Sequence, residues 1–267
     1  MLQCRFDSEE TERALKAALS DMHQVAGWVC HDLGDHASAR RYLTGGLALA
    51  REINDLTLIA GAFYRLGRVS IHQGRAQEAL RLWQLGQIVA QDSGSLVAIA
   101  VLHANEAWAY AMLGSDEHVR DAIARAEGEL TRVDATTLPS WARFFLAPAE
   151  IDGVAGFAYS RLAMRGEHRA EFAPVAIERT QRALEQRQPG ASRSRTFDSI
   201  LLATAYLIDG QLDQAEQYGH VAIDMTADQA SVRAVDRLRE AAAHARRRPS
   251  RGAFSGVIER IDGLAAS

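Results

Sequence analysis

A glycine that returns every 40 residues constrains the fold of this chain more than any other feature. Gly34, Gly74 and Gly114 lie in three segments of the same pattern, and a later copy contains Gly210. Residues at fixed distances from these glycines are mostly small. They are Gly27, Gly67, Ala107 and Ala203 seven positions before the glycine, Ala39, Ala79, Val119 and Ala215 five positions after it, and Gly46, Gly86, Ala126 and Ala222 twelve positions after it. A repeat of this length indicates stacked supersecondary units.

Each unit is predicted to be a hairpin of two antiparallel helices. The glycine ends the first helix in a left-handed cap, a backbone conformation that glycine adopts without steric cost. The small residues let the two helices approach closely. Because one hairpin cannot bury its own apolar face, neighbouring hairpins must stack to form a core. We therefore predict an all-α fold: a solenoid of about five hairpins, with helical caps at both ends.

The register of the glycines places the repeats along a single predicted domain, 1–267. The repeats cover about 20–54, 55–94, 95–133, 140–188 and 195–228, and C-terminal capping helices cover 229–265. A helix is expected to begin near Ser8, because Asp7 and Glu10 have the spacing of a capping box.

The fourth repeat is irregular. Its turn glycine, Gly166, comes 52 residues after Gly114, and the extra residues fall around the turn-rich stretch 134–141, within an inserted segment 134–148. Pro148 is expected to break or kink a helix, because proline lacks the amide hydrogen that a helix interior needs. The second helix of this repeat fits best with Ala176 and Ala183 as its small residues.

The inner face of the last two repeats is predicted to be apolar. Its residues are Phe157, Met164, Ile200 and Leu207. Two alternatives are open for what covers this face. The inserted segment can fold back into the groove through Trp141, Phe144 and Phe145, or the face can form the interface of a homodimer.

Composition narrows the function classes. The chain has 267 residues, 48% of them hydrophobic and 24% charged, which is typical of a folded protein and not of a disordered one. Its net charge of −4 argues against nucleic-acid binding through bulk positive charge. Two cysteines, Cys4 and Cys30, are too few for a disulfide scaffold, and no apolar run is long enough to span a membrane. We therefore expect a reduced, cytoplasmic protein with no membrane partner.

The repeat resembles the tetratricopeptide repeat (TPR). The family's alternation of small residues, aromatic residues and glycine is seen in Ala203, Tyr206, Gly210, Ala215, Tyr218 and Ala222. The second repeat matches with Leu66, Gly67, Gly74, Ala79, Trp83 and Gly86. The period here is 40, against a usual period of about 34, and the proline that usually ends the repeat is absent. The resemblance implies that the helical solenoid is a right-handed superhelix with a concave binding groove.

Three longer segments, 26–55, 138–156 and 192–215, resemble the C-terminal helical domain of actinobacterial Xre-type helix-turn-helix regulators. In that family an N-terminal domain contacts DNA, and the repeat domain is taken to sense a ligand or to mediate association. Only about 20 residues precede the first repeat here, too few for such a DNA-binding domain. The resemblance therefore implies a sensor or interaction module linked to transcription regulation, either as a stand-alone protein or as a fragment, without direct nucleic-acid contact.

In TPR proteins the first helix of each repeat lines the groove, which gives a set of candidate ligand-binding residues. They are Trp28, His31, Tyr64, Arg65, Arg68, His72, Asn105, Trp108 and Met112. Arginines can hold a carboxylate or phosphate, and the aromatic rings can supply flat apolar walls. The functional hypothesis is a groove for a peptide, a small ligand or a partner protein. The alternative is that these residues form a solvated face and fill gaps in the packing.

No catalytic, cofactor-binding or metal-binding motif stands out. The cluster Cys30, His31, Asp32, Asp35 and His36 suggests a metal site, but Cys30 stands at a position where the TPR buries a large residue. Asp35 and His36 follow the turn and are expected to face solvent, and neither an HExxH motif nor a paired CxxC motif occurs. The chain contains no nucleophile elbow, phosphate-binding loop or dinucleotide fingerprint. We expect a binding protein and not an enzyme, with no cofactor. The alternatives are an enzyme or an accessory of a biosynthetic pathway built on a TPR scaffold, and a purely homo-oligomeric scaffold.

Overall fold

The computed structural model describes residues 8–134, 148–165, 171–188, 190–229, 231–247, 252 and 254–264. All regular structure in these residues is helical, in agreement with the predicted all-α fold. The twelve helices of these residues are α1 (Glu9–Asp32), α2 (His36–Glu52), α3 (Leu56–His72), α4 (Ala76–Asp92), α5 (Leu96–Leu113), α6 (Asp116–Leu130), α7 (Pro148–Ala163), α8 (Ala173–Gln186), α9 (Ser192–Asp209), α10 (Leu212–Ala227), α11 (Val232–Arg246) and α12 (Ser255–Leu264). Contacts divide the chain into two compact units, one ending at Leu102 and the other beginning at His103. The predicted single domain and its repeat boundaries remain predictions.

The hairpin turns are built as the glycine pattern predicts. Gly34, Gly74, Gly114 and Gly210 all have the left-handed backbone, with φ between 76° and 85°. The turns between hairpins use the same conformation at Asn54 and Gly94, which are themselves 40 residues apart and which the sequence analysis missed. The predicted turn at Gly166 lies outside the described residues.

We expect any side chain at position 210 to destabilise the protein, because the turn there has a left-handed backbone. A methyl group there would meet no atom within 4 Å, so the cost of Gly210→Ala is purely that of forcing an L-residue to φ 85°. We expect this change to lower the free energy of unfolding by about 1 kcal/mol. Gly128→Ala is the matched control, because Gly128 lies within α6 and also has open space around it. That change should raise stability by about 0.5 kcal/mol through helix propensity. Urea unfolding followed by circular dichroism measures both, and equal stability of the two variants would contradict the expectation.

The first unit is held together by close approach of helices at the small residues. A Cβ atom added at Gly67 would lie 2.1 Å from Nε1 of Trp83, and one added at Gly46 would lie 2.9 Å from the Ser20 carbonyl oxygen. The Trp83 side chain is fully buried, and its indole N–H donates to the Tyr64 carbonyl oxygen at 3.1 Å. The glycines are therefore required by the neighbouring helix and not only by their own backbone.

Helix α1 begins as the sequence predicts, although the capping residue is Ser8. Its hydroxyl accepts a hydrogen bond from the Thr11 amide at 3.1 Å, which satisfies an amide of the first turn. Asp7 lies outside the described residues.

The second unit has a continuous apolar core drawn from α5 to α12. The irregular repeat supplies α7 and α8 to it, with Ala176 and Ala183 fully buried as the register predicts. Helix α7 begins at Pro148, where the sequence predicted a break. Trp141, Phe144 and Phe145, predicted to fold back into the groove, lie outside the described residues.

Ion pairs cross-link the helices of the second unit below its surface. Arg187, at the end of α8, donates from Nε to Asp198 of α9 at 2.8 Å and also pairs with Glu150 of α7. Burial raises the pKa of Asp198 to about 6, although the neighbouring Arg187 charge acts in the opposite direction. These side chains therefore fix three helices to one another.

Among the described residues, α5 (Leu96–Leu113) is long and apolar enough to cross a membrane by length and composition, with a mean hydropathy of 1.4. Most of this helix, 72%, is buried inside the protein, as in the core helix of a folded domain.

Candidate functional site

Five of the predicted ligand-binding residues come together between α1 and α3 of the first unit. The rings of Trp28 and Tyr64 stack with centroids 6.4 Å apart and an angle of 21° between their planes. His31 lies beside Trp28 at 5.3 Å and meets the ring of His72 at 4.8 Å in an edge-on arrangement. Arg68 completes this group. We call these five residues, Trp28, His31, Tyr64, Arg68 and His72, the α1–α3 cluster.

The positive charge of the α1–α3 cluster lies over its aromatic rings. The guanidinium carbon of Arg68 is 5.8 Å from the centroid of Trp28 and 6.0 Å from that of Tyr64, within the range of cation–π attraction. Nη1 of Arg68 also approaches the Tyr64 hydroxyl at 3.5 Å. Trp28 and Arg68 are half-buried, so part of each side chain is accessible from the surface.

Histidines form the deeper part of the cluster. His31 is fully buried, and its Nδ1 lies 3.4 Å from Nδ1 of His36, the first residue of α2. Nδ1 of His72 lies 2.7 Å from the Arg68 carbonyl oxygen, which makes this nitrogen the donor. His36 was expected to face solvent, yet its ring packs 5.4 Å from that of His31. Within the described residues, no group of three or more histidine, cysteine and carboxylate side chains has the geometry to hold a metal ion.

Arg65, a sixth predicted residue, points into the packing between α1 and α3. Its Nη1 donates to Oε1 of Gln24 at 2.8 Å and to the Gly61 carbonyl oxygen at 3.3 Å. Burial lowers the pKa of this guanidinium, which nevertheless stays protonated because arginine titrates far above neutral pH. The adjacent Gln24 donates to the Leu58 carbonyl oxygen, so this pair links the two helices.

The remaining three predicted residues, Asn105, Trp108 and Met112, belong to the second unit. Asn105 and Trp108 are buried, and the indole of Trp108 meets the Phe157 ring edge-on at 4.5 Å. Met112 is half-buried and lines an open cavity of about 310 Å³ between α5, α7 and α11. In that cavity Arg165 donates to the Met112 carbonyl oxygen at 2.5 Å.

A residue that the sequence analysis did not single out packs over Phe157 of the predicted apolar inner face. The guanidinium of Arg237, on α11, lies 4.4 Å from the Phe157 centroid, 4.6 Å from Phe197 and 5.7 Å from Trp108. Glu240, one turn further along α11, pairs with Arg161 of α7. Helix α11 therefore contacts this face, an arrangement that neither alternative in the sequence analysis included. An arginine-rich helix near the C-terminus gave no sequence signal of this contact, because its partners are more than 30 residues away.

No protein-family model matches the chain, and no curated protein matches it. The solved structures that are similar to it include the following two. BtubC (BKLC) from P. vanneervenii aligns with a TM-score of 0.55 at 19% identity, over 82% of this chain and 84% of that one. A putative kinesin light chain from Podospora anserina with nearly identical TPR-like repeats aligns with a TM-score of 0.48 at 16% identity, over 81% of this chain and 99% of that one.

Because BtubC is only 19% identical to this chain, its similarity is evidence for the fold alone. Together with the helical hairpins and their left-handed glycine turns, it shows that the chain has the all-α fold of TPR-like helical-repeat proteins.

Proposed function

We propose that the chain is a protein-interaction module whose α1–α3 cluster binds a segment of a partner protein. The observation that carries this proposal is the placement of Arg68 over the stacked rings of Trp28 and Tyr64 at a half-buried position. Arginine, tryptophan and tyrosine are the residues that most often dominate binding energy at protein interfaces.

The chemistry of the cluster favours a segment with a carboxylate next to an apolar side chain. A guanidinium can hold a carboxylate through two parallel hydrogen bonds, and the indole face of Trp28 can cover an apolar group beside it. His72 lies one turn after Arg68 on α3 and adds a second side chain that gains positive charge on protonation. The repeat fold supports this role because stacked hairpins create extended binding surfaces.

Affinity capture with the full chain as bait tests this proposal. We expect a partner from the native lysate to bind the wild type, and Arg68→Ala and Trp28→Ala to weaken binding at least tenfold, which corresponds to about 1.4 kcal/mol or more. Arg81→Ala is the control, because Arg81 is an exposed arginine on α4, outside the cluster. A partner that Arg68→Ala retains and Arg81→Ala loses would contradict the assignment of the site.

A finer proposal concerns the role of this binding. The resemblance of 26–55, 138–156 and 192–215 to the sensor domains of Xre-type regulators supports a cytoplasmic regulatory module, with a ligand or a transcription regulator as its partner and with no catalysis. Native mass spectrometry of the protein purified gently from its own host tests this. A small mass or a DNA-binding protein that co-purifies, and that Arg68→Ala releases, supports the regulatory role. Substrate turnover that survives the same substitution favours the alternative of a TPR-scaffold enzyme.

A further inference from the structure

One face of α1 is apolar and exposed along most of the helix. The residues Ser20, Gln24, Gly27 and His31 of the opposite face are buried against the rest of the first unit. The exposed face carries side chains that are between 38% and 65% exposed. They are Leu15, Met22, Val25 and Val29 of α1 and Leu33, which directly follows the helix. Their spacing of three, four and seven residues places all five along one side of the helix, as in the seam of a coiled coil. We call this surface the α1 stripe.

The α1 stripe can be compared with the residues at the same repeat positions in later first helices. Moving forward by one period of 40 residues from Met22, Val25 and Val29 leads to Ala62, Arg65 and Val69 of α3. All three residues of α3 are buried. The corresponding residues of α9, Asp198, Leu201 and Ala205, are buried as well. The α1 stripe therefore occupies the register positions through which α3 and α9 pack on other helices, and in α1 these positions are exposed.

The last helix of the described chain does not offer a matching surface. The outer side of α12 carries exposed Glu259, Arg260 and Asp262, and the last two pair with Asp224 and Arg246. Packing this charged side against the α1 stripe would take these ions out of water and place them against apolar side chains that offer them no hydrogen bonds. Head-to-tail stacking of copies is therefore disfavoured, and an apolar helix remains as the fitting partner.

We propose that the α1 stripe binds the α1 stripe of a second copy of this chain, in an antiparallel pair about a two-fold axis. A two-fold contact brings the same patch together from both subunits, so an apolar stripe is complementary to itself. An axis between His23 and Gln24 would set Met22 against the partner's Val25 and Ala18 against the partner's Val29. This interface uses the outer side of α1 and does not depend on the α1–α3 cluster.

The length of the stripe sets the expected strength of the dimer. From Leu15 to Leu33 the stripe is about 27 Å long, at a rise of about 1.5 Å per residue. One helix face of this length buries less accessible surface than stable complexes usually do, which is about 800 Å² per partner. We therefore expect a reversible dimer that dissociates in the micromolar range.

Sedimentation equilibrium of the full chain over a wide concentration range tests the proposal. The wild type should move from the 29.2 kDa of one chain towards twice that mass as the concentration rises. The double variant Met22→Glu with Val25→Glu should dissociate at least a hundredfold more readily and retain the helical circular dichroism of the wild type. Ile88→Glu is the matched control, because Ile88 is an exposed apolar residue on α4, 59% exposed and away from the stripe.

A disulfide test fixes the register of the pair. In a background with Cys4 and Cys30 replaced by serine, one sample carries Met22→Cys and the other Val25→Cys. Mixed under oxidising conditions, the two should form a cross-linked dimer, whereas either one mixed with Ile88→Cys should not. A wild type that remains a monomer at every concentration overturns the proposal. So does a dimer that the glutamate substitutions leave intact.

Discussion

Replacing Trp83 by alanine is expected to lower the free energy of unfolding by about 4 kcal/mol, the range found for removing a large buried aromatic side chain. The indole is fully buried in the first unit and packs directly on Gly67 of the neighbouring helix. Its N–H also donates to the Tyr64 carbonyl oxygen, and this hydrogen bond is lost together with the ring. Urea denaturation of the wild type and the variant at the same pH measures the difference. A loss below about 1 kcal/mol would show that the ring is not packed as the structure has it.

A double-mutant cycle with Gly67 identifies the contact responsible. A methyl group at position 67 would lie 2.1 Å from Nε1 of Trp83, so Gly67→Ala alone should destabilise by about 2 kcal/mol through overpacking. In the Trp83→Ala background the same methyl group enters the vacated space, and its cost should almost disappear. Additive effects would contradict a direct contact between the two residues.

Replacing Arg187 by methionine is the second change with a large expected effect. It removes the partner of Asp198, whose carboxylate is buried, and leaves an uncompensated charge in the second unit. We expect the free energy of unfolding to fall by about 3–5 kcal/mol at pH 8. Arg125→Met is the control, because the Arg125–Asp121 pair is exposed on α6 and should contribute less than about 0.5 kcal/mol.

The pH dependence of this variant follows from the raised pKa of Asp198. In the folded protein this pKa is about 6, above the ordinary value of 3.8, so the folded state binds the proton more tightly than the unfolded state does. The stability that Asp198 contributes is therefore fully present below about pH 4 and is lost as the pH rises through about 6. Without Arg187 the pKa rises further and the loss extends to higher pH. The difference between variant and wild type should be larger at pH 8 than at pH 5, and the reverse order would contradict this assignment.

Much of the fold could be predicted from the sequence because its signals are local and steric. A left-handed turn favours glycine, so Gly34, Gly74, Gly114 and Gly210 mark the hairpin turns directly. That three of the candidate binding residues lie close together was predictable for the same reason. Once the register is known, it places Trp28, Tyr64 and Arg68 on adjacent first helices, where the structure has them in contact.

The direction of individual side chains was not predictable, because the register does not state which neighbour a long side chain reaches. Arg65 and Arg68 are three residues apart on one helix, yet one donates to Gln24 inside the packing and the other lies over Trp28. His36 follows a turn and was expected to face solvent, whereas its ring packs near His31. The contacts of Arg65 and His36 both depend on side chains of α1, and packing sets the position of α1 relative to α2 and α3.

The sequence by itself determined the helical hairpin, its period and the positions of its turns, since these depend on the backbone freedom of glycine and on small residues at fixed spacing. Only the tertiary structure decided what lies against each helix face. It placed Arg237 among Phe157, Phe197 and Trp108, and it left the α1 stripe exposed although the same register positions are buried in α3. The physical reason is that burial of a face depends on the neighbouring helix, which can lie far away in the chain or belong to another molecule.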